Sequence, residues 1–194
     1  LKKGDGVPIN EELSVKYYKM AADKGDPFAM NNYGNMLYNG DIVPEDKEEA
    51  MKYYKKAADK GDASAMNNYA NMLYRGEGSS EINKEEAIKY YKKAIDKGNI
   101  NAINNYANML FTGDGIAMNK IEAVHYFKMA ADKGDPAAMN KYANMLFNGD
   151  GVSINKEKAA HYYRLAINKG NIHAMHNLAK MLETGDGIPI NEKE

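Results

Sequence analysis

Ala57-Ala58-Asp59-Lys60-Gly61-Asp62 is one of five closely related phrases in this chain, and their recurrence decides the fold. The Lys-Gly dipeptide returns at Lys24-Gly25, Lys60-Gly61, Lys97-Gly98, Lys133-Gly134 and Lys169-Gly170, in steps of 36, 37, 36 and 36 residues. A fixed period of this size marks stacked supersecondary units, each relying on its neighbours to complete a core. The residues before the phrase read as the end of one helix, and those after it as the start of the next.

The unit from Pro27 to Asp62 shows the grammar. Asp26 is placed to cap a helix, and Pro27 suits its first position, where a missing N–H costs nothing. Ala29, Met30, Tyr33, Gly34 and Leu37 follow at helical spacing as one buried stripe. Gly40 stops this first helix, A. Asp46 opens the second helix, B, and Glu49 three residues on makes a capping box. Ala50, Tyr53, Tyr54, Ala57 and Ala58 form its inner face, and Gly61 ends it. Asn83 with Glu86, and Asn119 with Glu122, repeat the capping box. The single 37-residue step falls in Gly76-Glu77-Gly78-Ser79-Ser80-Glu81-Ile82, an inter-helix loop where an insertion is cheap. The repeats are assigned to 27–62, 63–99, 100–135 and 136–171, with partial repeats at 1–26 and 172–194. This is an all-α array of about ten helices with no strand. Leu1–Asn10 matches Leu182–Asn191 in phase, so the chain is expected to be a segment of a longer protein.

Composition narrows the function. The chain has 194 residues, 44% hydrophobic and 27% charged, with a formal net charge of −1. Near-neutral charge gives no general pull toward nucleic acid or anionic membrane. No apolar run approaches the ~18 residues a membrane span needs, and no signal peptide is visible. The absence of cysteine excludes disulfides, thiolate metal sites and a cysteine nucleophile. It fits a reducing compartment, and a cytoplasmic setting is expected. No catalytic constellation rises above the repeating background, so an enzyme is not expected.

The unit Ala-Met-Asn-Asn-Tyr-Ala-Asn-Met-Leu-Tyr, then Gly, then Lys-Glu-Glu-Ala-Ile-Lys-Tyr-Tyr-Lys-Lys-Ala, then Lys-Gly, resembles the Sel1-like repeat, a tetratricopeptide-like motif. Its Gly-Asp-Gly-Val loop appears at Gly4-Asp5-Gly6-Val7 and Gly149-Asp150-Gly151-Val152. Gly113-Asp114-Gly115-Ile116 and Gly185-Asp186-Gly187-Ile188 differ by one residue, while Gly40-Asp41-Ile42-Val43 and Gly76-Glu77-Gly78-Ser79 depart from the pattern. The resemblance implies a right-handed α/α superhelix, a solenoid of stacked antiparallel helix pairs, used as an adaptor or scaffold. Sel1-like arrays occur in quality-control adaptors, bacterial host-interaction proteins and signalling scaffolds.

Helix A carries the candidate site. Two asparagines recur four apart and share one face: Asn31 and Asn35, Asn67 and Asn71, Asn104 and Asn108, Asn140 and Asn144. His176 and Lys180 take their places in the last unit. An aromatic follows on the same face as Tyr38, Tyr74, Phe111 or Phe147. By analogy with tetratricopeptide repeats this face lines the concave side. An Asn amide matches both a peptide C=O and a peptide N–H, so the series suits an extended peptide of a partner protein, with the aromatics as apolar pockets. The competing reading is that these asparagines are solvated or bond one repeat to the next.

Other residues carry less. His125 and His161 are expected on the exposed side of helix B, and His173 with His176 offers two ligands without a matched carboxylate, so no metal or cofactor is expected. Met30, Met36, Met66, Met72, Met109, Met139, Met145, Met175 and Met181 read as core. The Gly-Asp-Gly loops read as turns needing positive φ. Three functions stay open: a protein-interaction scaffold, a structural spacer in a large assembly, and single-stranded RNA binding. The last is weakened by a face whose main cations are Arg75 and Lys180. Self-association through the groove is also open.

Overall fold

The computed structural model describes residues 10–78 and 81–185. The Gly-Asp-Gly motif at 4–7, Ser79-Ser80 of the insertion and residues 186–194 lie outside them. Among the described residues there are ten α-helices and no strand. The chain divides into two compact units, 1–99 and 100–194.

The first unit contains α1 (Glu11–Asp23), α2 (Pro27–Asn39), α3 (Lys47–Asp59), α4 (Ala63–Arg75) and α5 (Lys84–Asp96). The second contains α6 (Ile100–Thr112), α7 (Lys120–Asp132), α8 (Pro136–Asn148), α9 (Lys156–Asn168) and α10 (Ile172–Thr184). Each unit is a stack of antiparallel helix pairs. A packs on B within a repeat, as in α2·α3, α4·α5, α6·α7 and α8·α9. B packs on the next A, as in α1·α2, α3·α4, α7·α8 and α9·α10.

Local chemistry sets the helix ends. Asp26, Asp62 and Asp135 accept the backbone N–H three residues on, at 2.6, 2.6 and 2.7 Å. The capping boxes form only in part. Asp46, Asn83 and Asn119 do accept from the N–H of Glu49, Glu86 and Glu122. The cap's own N–H does not go to the glutamate, however. It donates to helix A, Asp46 to the carbonyl of Leu37, Asn83 to Leu73 and Asn119 to Leu110. Glu86 and Glu122 instead accept from the cap's side-chain amide at 3.1 Å. The inter-helix loop is thus fastened to the preceding helix by a backbone bond.

The expected stripes are the core. Ala29, Met30, Tyr33, Gly34 and Leu37 are all buried, as are Ala50, Tyr53, Tyr54, Ala57 and Ala58. In each repeat an A-helix tyrosine meets a B-helix tyrosine edge to face: Tyr33 with Tyr53, Tyr69 with Tyr90, Tyr106 with Tyr126 and Tyr142 with Tyr162, centroids 4.7 to 5.0 Å apart. That is the favoured geometry of ring quadrupoles. Alanines such as Ala65, Ala102 and Ala138, with no exposed surface, let the backbones approach. Of the methionines read as core, Met36 is half-buried and Met175 is exposed. Met175 sits on α10, the last described helix, while its counterpart Met139 on α8 is buried.

Polar contacts also join one repeat to the next. Tyr53 and Tyr90 donate at 3.3 Å to Asp23 and Asp59, which end the previous B helices. The second glycine of the loop lies on the preceding repeat. A Cβ on Gly78 would stand 2.5 Å from the carbonyl oxygen of Lys47, and one on Gly151 would collide with that of Lys120. The loop acid completes this contact, Glu77 with Lys47 at 3.6 Å and Asp150 with Lys120 at 2.6 Å. The Gly-Asp-Gly loop is therefore an inter-repeat joint as well as a turn.

Candidate functional site

The paired asparagines project from one face of helix A, and the structure gives the two members of a pair different duties. Asn31, Asn67 and Asn140 are buried, at 6%, 5% and 7% exposure. Asn35, Asn71 and Asn144 are half-buried. Their side chains form a seam that ties three helices together. Asn68 Nδ2 donates to Asn31 Oδ1 at 3.0 Å and to Asn35 Oδ1 at 3.2 Å. Asn177 Nδ2 does the same toward Asn140 and Asn144, at 2.9 and 3.0 Å. From helix B of the same repeat, the hydroxyls of Tyr54, Tyr91 and Tyr163 donate to Asn35, Asn71 and Asn144 at 2.8, 2.7 and 2.6 Å. Asn35 and Asn144 thus each fill both lone pairs of the carbonyl oxygen.

The buried ends of these tyrosines are held neutral. Burial pushes the phenols of Tyr54 and Tyr91 far above their ordinary value and that of Tyr163 up to about 12. A raised pKa means that the folded state favours the protonated phenol. Its contribution is complete below the unfolded value of about 10. It is lost as pH climbs toward about 12 for Tyr163. The thermal midpoint should therefore fall through this alkaline interval, together with a cooperative rise in tyrosinate absorbance. Unfolding that precedes any tyrosine ionisation would contradict the assignment.

The aromatics close the face. Lys47, Lys84, Lys120 and Lys156, at the first position of α3, α5, α7 and α9, stand over the rings of Tyr38, Tyr74, Phe111 and Phe147 at 5.2 to 5.4 Å. These are cation–π contacts, and all four rings are half-buried. Tyr38 also donates to Glu77 at 2.7 Å, and that bond raises its phenol's pKa.

Two hollows open on this face, one in each unit. In the first, Asn35, Tyr38, Asn39, Tyr54, Asn68, Asn71, Met72 and Arg75 enclose about 230 Å³. In the second, Asn144, Phe147, Asn148, Tyr163, Asn177, Lys180, Met181, Thr184 and Gly185 enclose about 630 Å³. These are the same site three repeats apart. Each of the first eight residues has its counterpart in the second list, with Tyr38 becoming Phe147, Asn71 becoming Lys180 and Arg75 becoming Thr184. Each hollow has one cation, at a different corner.

Of the expected site residues, Asn35, Tyr38 and Asn71 line the first cleft and Asn144, Phe147 and Lys180 the second. Asn31, Asn67 and Asn140 lie beneath the surface. His176 and Asn108 are exposed, and Asn104, Tyr74 and Phe111 are half-buried. The sequence reading had no place for Asn39, Asn68, Asn148 and Asn177. Of these only Asn68 stands beside another asparagine, Asn67, while Asn39 and Asn148 precede the glycines that end their helices. His125, His161 and His173 are exposed, and His125 borders a hollow of about 400 Å³ with Lys128, Met129, Asp132 and Lys133. Among the described residues no group of three or more His, Asp or Glu could hold a metal. No described helix is long and apolar enough to cross a membrane.

Comparison with solved structures places this arrangement among known proteins. A Sel1 repeat protein from Oxalobacter formigenes is 29% identical, with a TM-score of 0.87 over 97% of this chain and 75% of that one. A protective antigen of uropathogenic Escherichia coli with an SLR fold, c5321, is 30% identical, with a TM-score of 0.85 over 95% of this chain. This chain spans 40% of the length of that antigen. The immunity protein Pa5087 from Pseudomonas aeruginosa, 23% identical with a TM-score of 0.61, shares the fold over 90% of this chain and 64% of its own. No curated protein sequence matches. The family description Sel1 repeat fits residues 1–26, 27–62, 63–99, 100–135, 136–171 and 172–194. With the helix pairs, the loop joint and the polar seam, this shows that the chain belongs to the Sel1 repeat family.

Proposed function

We propose that the helix-A face binds extended segments of a partner protein, one stretch to each cleft. Sel1 repeat proteins are commonly protein–protein interaction scaffolds and are generally non-catalytic. The observation that carries the reading is the recurrence of one cleft, position for position and with five of eight residues identical, in both units.

The chemistry suits a polypeptide. Asn39 and Asn148 are exposed at the edge of the clefts and offer both a donor and an acceptor to a main chain. Tyr38 and Phe147 give an apolar wall for one side chain. Arg75 or Lys180 can meet a carboxylate. The seam asparagines hold the floor rigid, so little order has to be gained on binding.

The test is selection from a displayed library of short random peptides, followed by calorimetry on the enriched sequences. Tyr38→Ala combined with Phe147→Ala should lower affinity about tenfold, the equivalent of losing one aromatic contact, while helical content is retained. Failure of any peptide to enrich, or binding indifferent to both truncations, would remove the proposal.

A further inference from the structure

The seam formed between α2 and α4, and again between α8 and α10, is interrupted in the repeat 100–135, where two departures coincide. Helices α3, α5 and α9 carry Tyr54, Tyr91 and Tyr163, but α7 carries Phe127 at that position and has no hydroxyl to donate. Helices α4 and α10 supply Asn68 and Asn177, but α8 has Lys141. Both donors that would reach Asn108 are therefore gone, and so is the one that would reach Asn104.

The geometry records the loss. Asn104 Oδ1 is buried with no hydrogen-bond partner. Its Nδ2 donates to Asp135 Oδ1 at 3.0 Å, and Asp135 also accepts from the Ala138 N–H. Turning the amide over would set two acceptors against each other, so its orientation is fixed. Asn108 is exposed, whereas Asn35, Asn71 and Asn144 are half-buried. Lys141 is exposed. In the intact seam an asparagine at its position reaches both carbonyl oxygens at 2.9 to 3.2 Å, so the Lys141 stem rises next to Asn104 and Asn108.

We propose that this gap is the specificity point of the helix-A face, and that its ligand is an acidic segment of polypeptide. The inference rests on the protein-binding reading and refines it. The carbonyl oxygens of Asn31, Asn35, Asn71, Asn140 and Asn144 are taken by the protein's own donors. Here the corresponding oxygens are left for main-chain N–H groups of the bound segment. Lys141, long and freely rotating, swings toward an aspartate or glutamate of the ligand and admits the donor to Asn104 Oδ1, while the Asn108 amide takes a backbone carbonyl. A buried acceptor without a donor is unfavourable, and binding relieves it. The ammonium adds a charge-assisted bond and requires an acid at that place.

The test uses peptides enriched from the displayed library on the whole chain. They should carry an aspartate or glutamate, and their addition should move the side-chain amide signals of Asn104 and Asn108 in NMR spectra. Lys141→Glu should lower affinity about tenfold or more. The double variant F127Y/K141N, which restores both seam donors, should melt above the parent protein and lose binding to a similar degree. Unchanged affinity in both variants, with loss in the Tyr38 and Phe147 truncations, would overturn this inference and keep the protein-binding reading. Failure of any peptide to enrich would overturn both. A double variant that melts below the parent would show that the added donors do not meet Asn104 and Asn108, and would also overturn it.

Discussion

Replacing Gly151 with alanine is expected to destabilise the protein by about 2–4 kcal/mol, although the change adds one methyl group to a surface loop. Two terms combine. Gly151 has φ +72, a conformation that costs a residue with a Cβ about 1 kcal/mol or more. The new methyl would also collide with the backbone of Lys120 and Ile121, at the N-terminus of α7 in the preceding repeat. Backbone cannot rotate away as a side chain can, so the repeats must part. The Lys120–Asp150 ion pair at 2.6 Å is carried by the same loop and should loosen with it. Gly170→Ala is the control. Its φ is +81 but nothing lies within 4 Å of the added atom, so only the conformational term applies, about 1 kcal/mol. Chemical denaturation of both variants decides the matter. Equal losses would show that the close approach contributes nothing.

The second large effect is expected at Tyr142. It is 3% exposed and stands edge to face against Tyr162, with centroids 4.8 Å apart. Truncation to alanine should cost about 3–5 kcal/mol, from lost transfer energy and a cavity that the alanine-lined helices cannot fill. Because each repeat supports the next, the loss should spread along the second unit. Hydrogen exchange should then quicken in α8 and α9 first. A cost under about 1 kcal/mol would mean that the ring is not a core element.

Much of this was legible in the sequence because much of it is local. The Asp26, Asp62 and Asp135 caps reach only three residues forward, and the Ala29-to-Leu37 stripe follows from helical spacing. The loop joint was legible in part, since φ alone explains Gly151 as a turn residue. Its contact with Lys120 belongs to the next repeat back, a distance no single unit reveals. The asparagine pairs were harder still. Their spacing says that Asn31 and Asn35 share a face, but their partner is Asn68, 37 and 33 residues away. Whether a neighbouring repeat reaches both members of a pair depends on the stagger between repeats, and periodicity does not encode that stagger. The cap glutamates failed for a related reason. The N–H groups of Asn83 and Asn119 were already claimed by helix A.

The seam also makes these repeats unequal as exchangeable parts. Excision of 136–171, one whole period, would bring Asn177 into the place of Lys141 and give Asn104 and Asn108 a donor again, while Phe127 would stay silent. A gain or loss of one copy would thus rewrite which carbonyls are open without altering a single codon in the helices that bear them.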